Sequence, residues 1–185
     1  MKGENKEGAE KYLCETIDYS QESLDKIDNC TDQLKFIHIP ELKGLLSARL
    51  AQALSRGIDL EIDIPEPVSN IPLNKIDLCR LVGIIVDNAV DELSTNAYKN
   101  EIKLLKFGIL IDNKDVLIIC SNNCKNTPDI KNIFSKEYTT KGLGRGLGLY
   151  NLKKICEKSE NILVATHIKE NEFSIIITIR EEPLC

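Results

Sequence analysis

"IPLNKIDLCRLVGIIVDNAVDEL", residues 71–93, carries the most regular apolar pattern in the chain. Leu78, Leu81, Val82, Ile85, Val86, Ala89, Val90 and Leu93 recur three or four apart, the spacing of one helix face. This predicts a helix over about 74–95. At about 100° per residue, Asn88 falls at the margin of the apolar arc rather than opposite it. Glu92 falls near the same margin, and Asp91 slightly further out. A neutral amide at the rim of a core can offer its oxygen to a hard cation without burying a second charge. It can equally serve as a structural hydrogen-bonder.

Further along, "KGLGRGLGLYNL" (141–152) sets glycines at 142, 144, 146 and 148. Glycine is the costliest residue to order, so this density needs a reason. A phosphate loop of the G-x-x-x-x-G-K-[ST] type is excluded, because no glycine precedes Lys-Ser or Lys-Thr. The dinucleotide fingerprint is excluded too: the sixth position counted from Gly142 or Gly144 is leucine, and "FSKEYTTK" before it is no buried strand. What remains is a segment of bare backbone N–H groups feeding a helix, since Leu149, Leu152, Ile155 and Cys156 recur at helical spacing. Such a junction favours an anion such as a phosphate. A glycine-rich turn that caps the helix is the other reading, and the glycines alone leave both open.

The remaining elements frame these two stretches. "KFIHI" (35–39) reads as a short strand, and Pro40 suits the first turn of a helix. That helix carries Leu42, Leu45, Leu46, Leu50, Ala53 and Leu54 and stops at Gly57. Residues 57–65 alternate Ile58, Leu60, Ile62 and Ile64 as a half-buried strand does. Strands at 101–111 and 115–121 meet through "IDNKD", a hairpin turn. Residues 122–148 are polar and glycine-rich, long for a structureless connection, as lids and binding segments are. A helix at 149–158 and a final hairpin at 161–179 follow. Helices that all cover one face of a mixed sheet make an α+β, two-layer α/β sandwich. The paired hairpins argue against a doubly wound parallel sheet.

Residues 1–9 are polar and read as disordered or as a remnant of the expression vector. Leu13, Ile17, Ser20, Leu24, Ile27, Thr31 and Leu34 then alternate spacings of four and three, a heptad-like seam. It predicts an N-terminal helix over 10–34, either part of a dimerisation bundle or an amphipathic helix packed on the domain. The net charge of −5, without a basic stripe, argues against nucleic acid as a partner. Seven scattered cysteines imply reduced thiols in a cytosolic chain, not a disulfide framework. His38 and His167 lie at no ligand-like spacing from Cys120 and Cys124, which disfavours zinc. No apolar run approaches the ~20 residues of a membrane span. The chain is therefore expected to be a cytoplasmic domain, with any membrane anchor of a parent protein lying elsewhere.

The combination is more specific than its parts. A helix ending "DNAVDEL", a hairpin, a polar lid and "TTKGLGRGLGL" opening a helix resembles the GHKL ATP-binding superfamily, which includes sensor histidine kinases, type II topoisomerase ATPase subunits and heat-shock-90 chaperones. Together with "IPELKGLLSARL" and "YTTKGLGRGLGLYNLKKI", the chain is most similar to the catalytic domains of Agr-type quorum-sensing receptor kinases (the AgrC/VirS-like group). The resemblance implies a Bergerat ATP-binding fold over 35–181 and the cofactors ATP and Mg²⁺, with Asn88 as the metal ligand. The nucleotide-binding set it implies is Asn88, Asp91, Asn122, Phe134, Thr140, Lys141, Gly142, Gly144, Arg145, Gly146, Leu147 and Gly148. Gly144, Gly146 and Gly148 would let the lid backbone approach the phosphates, and Lys141 would approach the terminal one.

Two departures stand out. In "CSNNCKNTPD", Asn122 replaces the aspartate that accepts the adenine amino group, so adenine binding is expected to persist but weaken. Ile84 stands where the hydrolytic members carry a glutamate base, which makes hydrolysis the weaker hypothesis. The implied function is the ATP-binding catalytic domain of a two-component sensor histidine kinase. The phosphoacceptor would lie outside this chain, because His38 and His167 sit in strand-like stretches rather than on an exposed helix. The implied partners are the acceptor-histidine helix, a response regulator and a second copy in a homodimer, with a membrane-anchored parent. The alternatives are an anti-sigma-factor-type serine kinase and a non-catalytic dimerising module with a vestigial nucleotide site.

Overall fold

The computed structural model describes residues 32–99, 101–125, 128–130, 132–135 and 147–181, Asn96 by its backbone alone. In chain order the elements are α1 (Pro40–Ser55), β1 (Asp59–Asp63), α2 (Lys75–Leu93), a 3₁₀ turn (Asn96–Tyr98), β2 (Leu104–Asp112), β3 (Asp115–Asn123), α3 (Leu147–Cys156), β4 (Ile162–Lys169) and β5 (Glu172–Ile179). The five strands form one mixed sheet in the order β1-β2-β3-β5-β4. β1 runs parallel to β2, and every other pairing is antiparallel.

Local chemistry sets the ends of these elements. Pro40 occupies the first turn of α1, where its missing N–H costs nothing. Gly57 closes that helix at φ +69°, donating its N–H to the Leu54 carbonyl at 2.9 Å. Asn74 caps α2 by accepting the Asp77 N–H at 2.9 Å, and Asp77 adds an acidic first turn. At its far end, the Ser94 hydroxyl donates back to the Val90 carbonyl at 2.6 Å. The β4–β5 hairpin turns on Glu170 and Asn171, both at positive φ as a two-residue loop requires.

The helices form one layer on one face of the sheet. Leu42, Leu46 and Leu50 of α1 and Leu78, Leu81, Ile85 and Val86 of α2 are buried against Phe107, Ile109, Ile118, Ile175 and Ile177 of the strands. Fully burying each such side chain contributes about 1.5–3 kcal/mol. The Cys120 thiol lies 3.6 Å from the Ile85 carbonyl, so α2 passes directly over β3. The opposite face is polar at one end. There Lys106 reaches Glu172 at 3.0 Å and Glu61 at 3.7 Å, and the Ser121 hydroxyl donates to Ser174 at 2.8 Å. This is the two-layer α+β sandwich that the sequence pattern predicts.

Two expectations fare differently. "KFIHI" forms no strand but a single parallel bridge between Ile37 and Val68. Pro67 beside Val68 has no N–H to extend the ladder. The helix predicted at 10–34 lies outside the described residues except for Asp32–Leu34, which is helical and buries Leu34. The described cysteines, Cys79, Cys120, Cys124 and Cys156, are free thiols. Burial pushes Cys120 up to about 12 and Cys156 up to about 11. Among the described residues, no helix is long and apolar enough to cross a membrane.

Candidate functional site

One edge of α2 carries the polar residues that its periodicity singles out. Asn88 and Glu92 are half-buried at the margin of the core, and Asp91 is exposed. Asp87, next to Asn88, meets the Arg49 guanidinium of α1 at 3.0 Å. Burial pushes the Asp87 carboxyl above its ordinary range, and Arg49 pulls against that shift without cancelling it.

The N-terminus of α3 abuts the same edge. Leu147 opens α3 and is 47% exposed, and Gly148 follows it. A Cβ placed on Gly148 would stand 3.6 Å from Cγ2 of Ile84, an ordinary contact. Ile84 lies one turn before Asn88, so the positive end of the α3 dipole sits beside the turn that leads to Asn88. No packing neighbour among the described residues demands glycine at 148.

Asn122 lies on β3. It shares the inward face of β3 with Cys120 and is only 3% exposed. Its Nδ2 donates to the Asn123 carbonyl at 2.9 Å. That bond fixes the amide orientation, because a flipped amide would set oxygen against oxygen. The Asn122 Oδ1 is thereby turned away from that carbonyl as an acceptor.

A clasp holds this end of β3. The Tyr98 hydroxyl donates to the Asn123 carbonyl at 3.1 Å and accepts the Lys125 N–H at 2.9 Å. Burial raises the Tyr98 phenol to about 12, so it stays protonated across the physiological range. Asn123 itself accepts the Leu104 N–H at 2.9 Å and donates to the Ile102 carbonyl at 2.7 Å, fastening the start of β2. Lys125 pairs with Glu101 and stands over the Tyr98 ring at 5.6 Å. Sequence reasoning passed over Tyr98 and Asn123. A polar pair on both sides of a strand end was the available signal, and it names no partner until the turn at Asn96–Tyr98 is seen.

Asn88 and Asp91 thus lie on α2, Gly148 follows Leu147 and approaches α2 at Ile84, and Asn122 lies on the face of β3 that meets α2 at Cys120. Phe134 is partly buried against the core, beside the buried Ile133. Thr140, Lys141, Gly142, Gly144, Arg145 and Gly146 lie outside the described residues. Among the described residues, no group of three or more His, Cys, Asp or Glu side chains could hold a metal ion. The donors on the α2 edge are an amide and carboxylates, hard oxygen ligands suited to a magnesium ion that is shared with phosphates.

With this geometry in hand, the comparisons with known proteins point one way. A family model described as a GHKL domain matches residues 73–180. The sensor protein CitS of Bacillus subtilis (strain 168) is 27% identical over 145 residues, covering 75% of this chain and 26% of that protein. The chain therefore spans about a quarter of the length of that relative. The nucleotide-free catalytic domain of histidine kinase ThkA superposes with a TM-score of 0.65 at 21% identity, covering 78% of this chain and 93% of that one. ThkA in its complex with the response regulator protein TrrA gives 0.62 at 18% identity, covering 78% of this chain and 40% of that one. The fold is that of these kinase catalytic domains.

Proposed function

The chain belongs to the GHKL domain family, and on that premise we propose that it is the ATP-binding catalytic domain of a two-component sensor histidine kinase. The observation that supports this reading is the approach of the α3 N-terminus at Gly148 to Ile84, one turn before Asn88 on α2. Anionic phosphates lying there would face helix N–H groups on one side and the Asn88 amide on the other. A magnesium ion bound through Asn88 and the phosphates supplies charge neutralisation at the transferring group. Asn122 presents an acceptor to the adenine amino group. Ile84 offers no proton acceptor to a water molecule, which favours transfer over hydrolysis. Catalysis then rests on orientation and charge stabilisation.

The phosphoacceptor in this reading lies outside the chain. His38 is exposed, with its Nδ1 3.2 Å from the Ser69 hydroxyl, in a segment held by the Ile37–Val68 bridge. His167 lies on the strand β4 and not on a helix. The finer proposals are an Agr-type receptor kinase, supported by the degenerate "CSNNC" stretch, a homodimeric membrane-anchored parent, and a response regulator as the final acceptor. The ThkA–TrrA complex supports the last of these by analogy.

The test is titration with ATP with and without Mg²⁺, followed by incubation with γ-labelled ATP at neutral to basic pH. Mg²⁺-dependent binding is expected, with no stable label on the isolated chain. Absence of binding would leave the vestigial module. Acid-labile label on His38 or His167 would overturn the external acceptor, and acid-stable label on a supplied serine substrate would favour the serine kinase.

A further inference from the structure

A groove of about 1010 Å³ runs along α2 between α1 and α3. Its floor is apolar, built from Leu45 of α1, Ile76 and Ile84 of α2 and Ile155 of α3, with the Cys79 thiol among them. Ile76 is 66% exposed there, unusual for a large apolar side chain beside a core. Arg49, Lys75, Arg80, Lys154 and Lys158 make a basic rim, in which Asp87, Glu41, Asp77 and Glu157 pair with the first four, on a chain whose net charge is −5. From Ile76 to Asp87 the groove follows α2 for about 16 Å, enough to seat roughly three turns of a longer helix whose ends run past it.

The chain carries a segment of matching chemistry. Residues 10–31 hold six carboxylates and two lysines. Leu13, Ile17, Leu24 and Ile27 form an apolar stripe at helical spacing, and Asp18, Asp25 and Asp28 each directly follow a stripe position. This segment enters the described structure at Asp32, just before α1. The first turn of α1 supplies Glu41, which holds Lys75 at 2.8 Å at the groove.

We propose that the groove is a docking site for residues 13–28 of the same chain, bound as an amphipathic helix with its apolar stripe on the floor and its carboxylates toward the basic rim. The inference does not depend on the nucleotide reading. Ile84 belongs both to the groove floor and to the contact with Gly148, so an occupied groove borders the candidate site.

The full chain carries its own probe in Cys79. Its alkylation by iodoacetamide at pH 8, resolved from the other cysteines by peptide mass spectrometry, reports how well the groove is covered. Ile17→Asp with Leu24→Asp should speed alkylation of Cys79 about tenfold or more, because docking that covers the thiol most of the time is lost. Lys154→Glu with Lys158→Glu should act in the same direction, and added salt should do so in the parent chain. Loss of a tenfold docking preference is worth about 1.4 kcal/mol, so the melting temperature should fall by no more than a few degrees in each variant, with the fold kept. Equal alkylation rates in all three chains would overturn the proposal. So would protection of Cys79 that grows with protein concentration over about 1–100 µM, which would assign the groove to a second copy.

Discussion

Replace Asn122 by aspartate, and the amide that donates to the Asn123 carbonyl at 2.9 Å becomes a carboxylate oxygen facing that carbonyl. The change restores the residue expected from the wider superfamily, yet in the free protein it should destabilise. One hydrogen bond is lost, about 1 kcal/mol net, and an unpaired charge is left at a position only 3% exposed, adding about 2–3 kcal/mol. For a domain of this size, a loss of 3–4 kcal/mol lowers the melting temperature by roughly 10 °C. The sign with pH follows from burial. The new carboxyl is expected to have its folded pKa above its unfolded value near 4, so the folded state holds the proton more tightly. The ionisation penalty is then full above the folded pKa, shrinks as pH falls toward the unfolded one, and vanishes below it. Urea unfolding of both chains at pH 8 and pH 5 measures the difference. Saturating MgATP should narrow the gap at pH 8, because the adenine amino group would satisfy the carboxylate. A loss below about 0.5 kcal/mol at pH 8, the ordinary scatter of surface substitutions, would refute the clamped, buried amide. A loss that is the same at both pH values would refute the buried charge.

Three further outcomes are expected. Asn88→Asp, nearly isosteric at the core rim, should change Mg²⁺-dependent ATP affinity by about tenfold or more while shifting the melting temperature by no more than about 2 °C, as calorimetry and scanning fluorimetry would read. Tyr98→Phe should cost about 1–2 kcal/mol in urea unfolding, since it removes a buried hydroxyl that joins Asn123 and Lys125, and hydrogen exchange at the Lys125 amide should quicken. Gly148→Ala should leave the fold intact, or raise its stability by up to about 1 kcal/mol through helix propensity, because the new methyl group meets Ile84 at an ordinary 3.6 Å. The same substitution should weaken nucleotide binding if phosphate lies against that backbone, and unchanged affinity would remove Gly148 from the site.

Much of this architecture was legible because single elements obey local rules. α2 announces itself by an apolar stripe that continues over about four turns, and its observed limits, Lys75–Leu93, fall within two residues of those expected. Pro40 and Gly57 bracket α1 for backbone reasons that need no partner. "KFIHI" was misread because alternation is only half of what makes a strand. The other half is a neighbour with free donors and acceptors, and the neighbour here is a proline-flanked stretch that supplies one bridge at Val68.

The candidate site divides along the same line. Asn88 could be placed from periodicity, since its position on the rim is a property of one helix. The bond that turns Asn122 into an acceptor could not be. A buried amide has two orientations, and sequence does not choose between them. Here the choice falls to the Asn123 carbonyl, which Tyr98 also holds from 25 residues away. The aspartate-to-asparagine departure, which sequence alone presents as the loss of a charge, therefore becomes an exchange. On the proposed reading, the carboxylate's unconditional acceptor gives way to an amide that would accept toward the ligand only while its donor end is occupied by the strand. Tyr98 and Asn123 stand outside the nucleotide motifs, yet on the proposed reading they would bear on adenine recognition through that constraint. Tyr98→Phe should then weaken ATP binding in the parent chain more than in the Asn122→Asp chain, whose carboxylate accepts in either orientation. Equal losses in both backgrounds would show that Tyr98 supports the strand and nothing more.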